Sequence, residues 1–150
     1  MKIAILGSGK KAASWKSKND ASFYTWVQDT TSHSDYDVFV DLDFDEYPER
    51  ITEYAKNKHT QFVLSSCFVT LEGAFYQSKI RYEGQKMVGF NALPGMVNRN
   101  LAELTNPFNL SLENIETVTK KLQYESYKLV ESRIGLVTPR IICMIINEAF

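Results

Sequence analysis

The N-terminal stretch MKIAILGSGKKAAS, residues 1–14, contains the pattern on which the predicted fold depends. Residues 2–6 have the apolar pattern of a buried strand, and residues 10–18 have the pattern of a short helix. The turn between them contains Gly7, Gly9 and Ala12 in the spacing G-x-G-x-x-A. At a strand–turn–helix junction this spacing permits a tight bend, a close approach of the backbone to a pyrophosphate, and close packing of the helix on the strand. The turn therefore predicts a dinucleotide site, although any strand–turn–helix unit also favours small residues in its turn.

Dinucleotide sites have a second feature, an acidic residue about 20 residues farther along, which accepts hydrogen bonds from the adenosine ribose. Asp29, in the segment FYTWVQD, has this position at the end of a predicted strand over residues 23–27. Because a carboxylate there repels a 2′-phosphate, the sequence favours NAD over NADP. Lys10 and Lys11 follow the turn, and they are interpreted either as phosphate contacts or as a solvated pair.

The rest of the chain alternates strand and helix patterns, which is typical of an α/β protein with a mostly parallel sheet and helices on its faces. Pro48 lies at the first turn of one predicted helix, where proline is tolerated. Further strands are predicted over residues 36–42, 61–65, 86–91, 101–105 and 127–131, and further helices over residues 48–58 and after Ser111.

The composition argues against several classes of protein. With 44% hydrophobic and 23% charged residues, the chain has the usage of a folded globular domain, and its 150 residues suit one domain. The longest apolar run, residues 141–146, is too short for a membrane span. A formal net charge of −1 without a basic face argues against nucleic acid as a partner. The N-terminus predicts a strand and not a signal peptide, so we expect a cytoplasmic protein. The two cysteines, Cys67 and Cys143, lie far apart in apolar segments without a ligand motif. We therefore expect no metal site, and we expect both cysteines to be buried, reduced thiols.

Four later segments occur in the order of a known family. The segments are DYDVFVDLDFDEYPERI, FVLSSCFVTLEG, VGFNALPGMVNRNLAEL and ESRIGLVTPRIICMIINEAF. They resemble, respectively, the D-x-V-x-E-A-x-x-E, S-N-T-S-S-L, H-F-F-N-P…E and D-x-x-G-F-V-x-x-R…NEA segments of the 3-hydroxyacyl-CoA dehydrogenase family. The last segment is the most specific, because Gly135, Arg140, Asn147, Glu148 and Ala149 are all in register.

This resemblance implies a Rossmann-like NAD-binding domain over residues 1–132 and a C-terminal helix over residues 133–150 that begins the family's helical dimerisation domain. It implies NAD as the cofactor, an acyl-CoA as a further ligand, and a homodimer. The short segment between Asp29 and Asp37 implies that a helix and a strand on the adenine side are missing. Asp41 and Asp45 stand where the family has glutamates, and Asp41 is predicted to bind the cofactor.

The resemblance fails at the residue that performs the chemistry. Removing hydride from a secondary alcohol requires a base for the alcohol's proton, and the family uses a histidine paired with a glutamate. Glu103 matches the glutamate, whereas Asn91 or Phe90 falls at the histidine, and neither can take a proton. Thr70 lies beside Val69, which falls at the family's substrate-binding serine. The predicted catalytic residues are Glu103, Asn91 and Thr70, with Thr70 or Glu103 acting through water.

Two functions are therefore left open. The first is an NAD-binding oxidoreductase of the 3-hydroxyacyl-CoA type whose activity is weak or altered because the catalytic histidine is absent. The second is a non-catalytic module of the same fold that binds a nucleotide or an acyl-CoA. The two histidines, His33 and His59, are interpreted as surface residues.

The predicted terminal helix has apolar side chains on nearly every side from Ile141 onward. A surface helix of a monomer has one apolar stripe, so a helix that is apolar all round must be enclosed. We expect a two-fold homodimer in which a second chain covers this helix. The alternative is that the helix fills a groove left by the missing adenine-side elements.

Overall fold

The computed structural model describes residues 1–18 and 21–149, which contain a seven-stranded sheet in the order β2-β1-β3-β4-β5-β6-β7. Neighbouring strands are parallel except for β5 and β6, which pair antiparallel. The mostly parallel sheet predicted from the sequence is therefore confirmed. The strands are β1 (Ile3–Leu6), β2 (Thr25–Val27), β3 (Val38–Asp41), β4 (Gln61–Ser65), β5 (Lys86–Phe90), β6 (Leu101–Thr105) and β7 (Ser126–Val130).

Five α-helices connect or follow these strands in the described residues. The helix predicted over residues 48–58 is shorter than expected, because a 3-10 turn, Pro48–Arg50, precedes only one helical turn. The sequence patterns missed the third helix, and Phe150, which the predicted terminal helix included, lies outside the described residues. The helices are α1 (Gly9–Lys18), α2 (Ile51–Tyr54), α3 (Leu71–Gln77), α4 (Leu112–Lys121) and α5 (Thr138–Ala149).

Two hydrophobic cores, one on each face of the sheet, hold the helices in place. The alternation of side chains along β1 shows the division, since Ile5 belongs to one core and Leu6 to the other. The first core receives Trp15 of α1 together with apolar residues of α4, and the second receives Tyr54 of α2 and Phe75 of α3. Helices on both faces were predicted, and this arrangement confirms them.

The connection between β2 and β3 is short, as the close spacing of Asp29 and Asp37 in the sequence indicated. It contains one 3-10 turn, His33–Asp35, and it leads from one side of β1 to the other. The strand β2 therefore forms an edge of the sheet. A doubly wound sheet in the order 3-2-1-4-5-6 has one more strand beyond this position. The described residues contain no strand there.

Two side-chain predictions from the sequence are wrong. His33 is not a simple surface residue, because its ring is half-buried against the aromatic rings of Phe39, Tyr54 and Phe62. Cys143 is exposed on α5, whereas Cys67 is buried as expected. No helix among residues 1–18 and 21–149 has the length and apolar character needed to cross a membrane.

Candidate functional site

The glycine turn lies where β1 ends and α1 begins, at the carboxyl edge of the parallel strands. Gly9 has a φ of +55°, a conformation that favours glycine, and a Cβ added there would have no atom within 4 Å. A Cβ added to Gly7 would lie 2.8 Å from the Cβ and Cδ1 of Leu42, so Gly7 is required by packing. Ala12 is buried in α1, as the close packing of helix and strand requires. The space above Gly9 thus remains open for a ligand.

Lys11 is neither a free phosphate contact nor a solvated lysine. Its side chain is 8% exposed, and its ammonium donates to both carboxylate oxygens of Glu46 at 2.9 and 3.0 Å. The carboxylate of Asp45 lies 3.9 Å away. Lys11 therefore ties the first turn of α1 to the segment that follows β3, whereas Lys10 is exposed.

The Asp45 carboxylate, which is fully buried, joins the segment after β3 to the segment after β4. Its Oδ2 accepts from the hydroxyl of Ser65 and from the backbone N–H of Cys67, the latter at 3.1 Å. Its Oδ1 accepts from the backbone N–H groups of Phe68 and Val69 at 2.7 and 3.3 Å. Four donors around one carboxylate fix the backbone of the loop after β4.

The two predicted cofactor carboxylates, Asp29 and Asp41, have different surroundings. Asp29 is exposed, and its Oδ1 accepts from the backbone N–H and the hydroxyl of Thr31, hydrogen bonds that lower the pKa of Asp29. Asp41 is fully buried, and its carboxylate accepts from Arg50 and from the hydroxyl of Tyr54, the latter at 2.7 Å. Burial raises the pKa of Asp41, and the charge of Arg50 opposes that change. Arg50 and Tyr54 already bind the carboxylate of Asp41. Its predicted contact with a cofactor stays a prediction.

Asn91 and Glu103 are brought together by the antiparallel pairing of β5 with β6. The register pairs Phe90 with Leu104, which places Asn91 opposite Glu103. The Nδ2 of Asn91 donates to Oε2 of Glu103 at 2.9 Å. Oε1 of Glu103 accepts from the backbone N–H groups of Val137 and Thr138 at 2.7 and 3.0 Å. One carboxylate therefore binds the Asn91 side chain and also holds the beginning of α5.

Cys67 completes this hydrogen-bonded chain, and no sequence motif indicated that it would. Its thiol donates to Oδ1 of Asn91 at 3.3 Å, and that oxygen also accepts from the backbone N–H of Leu93. Burial, with a contribution from the Asp45 charge, raises the pKa of Cys67 to about 12. The Cys67 thiol is therefore neutral near pH 7 and donates its hydrogen to Asn91. It cannot act as a base at that pH.

The hydroxyl of Thr70 has a structural partner at the start of α3. Its hydroxyl oxygen accepts from the backbone N–H of Gly73 at 3.0 Å, and Thr70 is the N-cap of α3. No hydrogen bond joins Thr70 to Asn91 or Glu103 in the part of the chain that the structure describes. The three predicted catalytic residues thus separate into one hydrogen-bonded pair and one helix cap.

A pocket of about 130 Å³ lies next to the Asn91–Glu103 pair. Its walls come from the starts of β6 and α5, from β7, and from the loop between β5 and β6. Apolar side chains form most of its surface, while Arg99 and Lys128 add two positive charges. We call this cavity the β6–β7 pocket.

Solved structures share this arrangement of strands and helices. A 3-hydroxyacyl-CoA dehydrogenase from Archaeoglobus fulgidus aligns with a TM-score of 0.67 and 12% identity, over 99% of this chain and 62% of that one. An (S)-3-hydroxybutyryl-CoA dehydrogenase from Ralstonia eutropha aligns with a TM-score of 0.65 and 13% identity, over 99% of this chain and 69% of that one. The chain has the fold of the 3-hydroxyacyl-CoA dehydrogenases. It shares that fold also with 5-formyl-3-hydroxy-2-methylpyridine 4-carboxylic acid 5-dehydrogenase, an NAD⁺-dependent dismutase (TM-score 0.62, 12% identity, 99% and 63% coverage).

These similarities concern the fold and not the activity. The chain spans 62–69% of the length of these three dehydrogenases. No protein-family model and no curated protein matches the sequence. The fold expected from the resemblance is confirmed, and the roles of the site residues stay predictions.

Proposed function

We propose that the chain binds NAD across the glycine turn and holds a substrate next to Asn91 and Glu103, as a 3-hydroxyacyl-CoA dehydrogenase-like oxidoreductase of weak or altered activity. The observation that carries the proposal is the 2.9 Å hydrogen bond between Asn91 and Glu103 at the carboxyl edge of the sheet. The sequence resemblance aligns Asn91 or Phe90 with a histidine that the family pairs with a glutamate, and this hydrogen bond supports the alignment with Asn91.

The residues at the glycine turn fit the pyrophosphate of a dinucleotide. The position above Gly9 is open, and the first N–H groups of α1 have no intrahelical acceptor, so they are available to phosphate oxygens. Asp29 lies exposed just after β2, where a ribose hydroxyl would reach its carboxylate. When bound, NAD supplies a hydride acceptor for the oxidation of an alcohol.

Among the described residues at the site, neither Asn91 nor its neighbour Cys67 is a base for the alcohol's proton. Asn91 accepts no proton near neutral pH, and the neutral thiol of Cys67 occupies its Oδ1. Glu103 already accepts three hydrogen bonds, from Asn91 and from the backbone N–H groups of Val137 and Thr138 at the start of α5. A general base contributes about a hundred- to ten-thousand-fold to such rates, so we expect slow turnover.

The substitution Asn91→His tests the catalytic part of this proposal. A histidine would be able to donate one ring N–H to Glu103 and use its other nitrogen as the base. We expect NADH oxidation with acetoacetyl-CoA, followed at 340 nm, to rise by about a hundredfold or more, and a second change, Glu103→Gln, to remove most of that gain. If Asn91→His binds NAD but gains no turnover, the proposed dehydrogenase geometry is wrong.

A matched pair of glycine variants tests the cofactor site. Gly9 and Gly84 both have positive φ values, and both have open space where a Cβ would stand, but Gly84 is far from the turn in sequence. We expect Gly9→Leu to abolish the thermal shift caused by NAD and Gly84→Leu to retain it, with similar losses of stability. Equal NAD affinity in the two variants would exclude the glycine turn as the site.

A non-catalytic binding module is the second candidate, and the absence of a proton acceptor at Asn91 favours it. Such a protein would show an NAD-dependent or acyl-CoA-dependent thermal shift without any oxidation of NADH. Measurable turnover by the unmodified protein, lost in Gly9→Leu, would reject it.

We further propose that residues 133–150 act as a dimerisation segment through α5. No side chain of α5 is buried among the described residues, and five apolar side chains from Ile141 to Ile146 are 38–65% exposed. The alternative, that α5 fills a groove in its own chain, has no support in this arrangement. Burial of one isoleucine contributes about 1.5–3 kcal/mol, so several such residues suffice to hold a dimer.

Light scattering at micromolar concentration tests the dimer. We expect a dimeric mass for the intact protein, a monomeric mass after Ile142→Asp and Ile146→Asp together, and a dimer for the control Asn147→Asp. A monomeric mass for the intact protein would refute this assignment.

A further inference from the structure

We infer that His33 and Asn57 form a pH-sensitive contact, which holds the connection between β2 and β3 in place at neutral pH and releases it when His33 takes up a proton. The effect on NAD rests on the proposed function, because this connection carries Asp29, the proposed ribose ligand. The contact itself can be tested without NAD.

The orientation of the Asn57 amide fixes the hydrogen-bonding state of His33. Oδ1 of Asn57 accepts from the backbone N–H groups of His59 and Thr60 at 2.8 and 3.1 Å. Nδ2 of Asn57 therefore lies on the opposite side of the amide, 3.1 Å from Nδ1 of His33. An amide nitrogen only donates, so Nδ1 of His33 accepts, and the ring is the neutral tautomer with its proton on Nε2.

Protonation of His33 removes the acceptor from this contact. Both ring nitrogens of a protonated histidine are donors, so two N–H groups would face each other across 3.1 Å. A flip of the Asn57 amide does not resolve this conflict, because the flip would turn its NH₂ group toward the two backbone N–H groups that its oxygen now binds. The protonated ring must therefore leave its place beside Asn57.

The surroundings of the His33 ring favour its neutral form and give water access to it. Aromatic rings from three elements pack against it with centroid distances of 5.5–6.3 Å, namely Phe39 of β3, Tyr54 of α2 and Phe62 of β4. The ring also borders a cleft of about 400 Å³, through which water can deliver a proton.

The charged groups around the ring come from its own turn, from α2 and from the segment after α2. Burial lowers the pKa of His33 more than the nearby carboxylates raise it. Lys56 pairs with Glu53 at 2.8 Å, so these two charges largely offset each other. The charged and titratable neighbours are Asp35, Glu53 and Lys56, together with Lys58 and His59 in the cleft.

His33 also joins Asn57 to the turn that carries Asp29. The backbone N–H of His33 donates to the carbonyl of Thr30 at 3.3 Å. The carboxylate of Asp29 accepts from the backbone N–H of Thr31 at 2.9 Å. A displacement of His33 thus moves the short turn that positions the Asp29 carboxylate.

Hydrogen exchange on the intact protein, expressed as protection factors, measures the release. In the released connection His33 has an ordinary pKa near 6.5, so acidification from pH 7 to pH 5.5 should increase the released fraction by up to about tenfold. We expect the protection of the Asn57 side-chain NH₂ group and of the Asp35 amide to fall accordingly, since the Asp35 N–H donates within the turn that begins at His33. The amide of Ile115 in α4 should change much less.

Three substitutions separate the contact from general effects of acid. His33→Gln keeps an acceptor for Asn57 but takes up no proton, so it should abolish the pH dependence. His59→Gln, the matched control in the same cleft, should retain it. Asn57→Asp supplies a carboxylate that accepts from the protonated ring, so it should reverse the trend and make the protection of Asp35 rise toward pH 5.5.

Two results would overturn the contact as a pH-sensitive device. One is a pH dependence that survives in His33→Gln, and the other is an equal fall in protection at Asp35 and Ile115, which marks unfolding of the whole domain.

Addition of NAD at pH 5.5 tests the regulatory effect. NAD bound at Asp29 favours the closed connection, so saturating NAD should restore the protection of Asp35. Binding of NAD that leaves this protection unchanged would overturn the regulatory effect. A lack of NAD binding at every pH contradicts the proposed function, whereas the pH dependence of the Asp35 protection would still support the contact.

Discussion

Replacing Asp45 by alanine removes the buried carboxylate that joins the two loops at the carboxyl edge of the sheet. Of its four donors, Ser65 and Cys67 are fully or almost fully buried, whereas Phe68 is exposed and its N–H can bind water. An unsatisfied buried donor costs about 1–3 kcal/mol, so the two buried donors predict a loss of about 2–6 kcal/mol in the free energy of unfolding. A domain of this size has about 5–15 kcal/mol in total, so the variant should be close to its limit of stability.

Urea denaturation followed by circular dichroism measures this loss for Asp45→Ala. The matched control is Glu49→Gln, which changes an exposed carboxylate farther along the same segment. The Glu49 side chain forms no hydrogen bond or ion pair with the described residues, so we expect this change to alter the free energy of unfolding by less than about 0.5 kcal/mol. Equal losses for the two variants would refute the assignment of Asp45 as the residue that fixes the loop after β4.

Two further predictions concern the glycine turn and the half-buried histidine. Gly7→Ala should lower the free energy of unfolding by about 1–3 kcal/mol, because the added methyl group would clash with Leu42. Leu42→Ala should cost less stability in the Gly7→Ala background than alone, and a double-mutant cycle measures this coupling. Additive losses would contradict the packing contact. Burial lowers the pKa of His33, and its Nδ1 accepts a hydrogen bond from Asn57 at 3.1 Å. Below about pH 6.5 the histidine therefore binds a proton more readily in the unfolded chain than in the folded chain. The free energy of unfolding should therefore fall from pH 7 toward pH 5, and His33→Phe should flatten this slope whereas His59→Phe should not.

The sequence predicted the part of the fold that depends on local patterns. The strand β1, the glycine turn and α1 follow one another within 18 residues. An apolar run predicts the strand, two glycines predict the turn, and a helical pattern predicts α1. The helix α3 was missed because it is short and contains Gly73, a weak helix former. In the structure Gly73 is suited to its place, since an added Cβ would lie 2.9 Å from the Thr70 hydroxyl that caps the helix.

The site was predicted only where a resemblance supplied the pairing of distant residues. Asn91 and Glu103 were predicted together, and the register of β5 with β6 explains why they meet. The contacts of Glu103 with α5 and of Asp45 with the loop after β4 span more than 20 residues. Such contacts depend on the order of strands in the sheet, which no local pattern in the sequence specifies.

Glu103 links the two proposals that this fold supports, because one oxygen of its carboxylate faces Asn91 and the other holds the first N–H groups of α5. A carboxylate at the beginning of a helix also complements the helix dipole, so it stabilises the segment that presents the exposed apolar side chains. Even without a catalytic base, the chain therefore has a reason to keep Glu103. A glutamate at this position is by itself no sign of catalysis, and only the gain of turnover on Asn91→His separates its two roles.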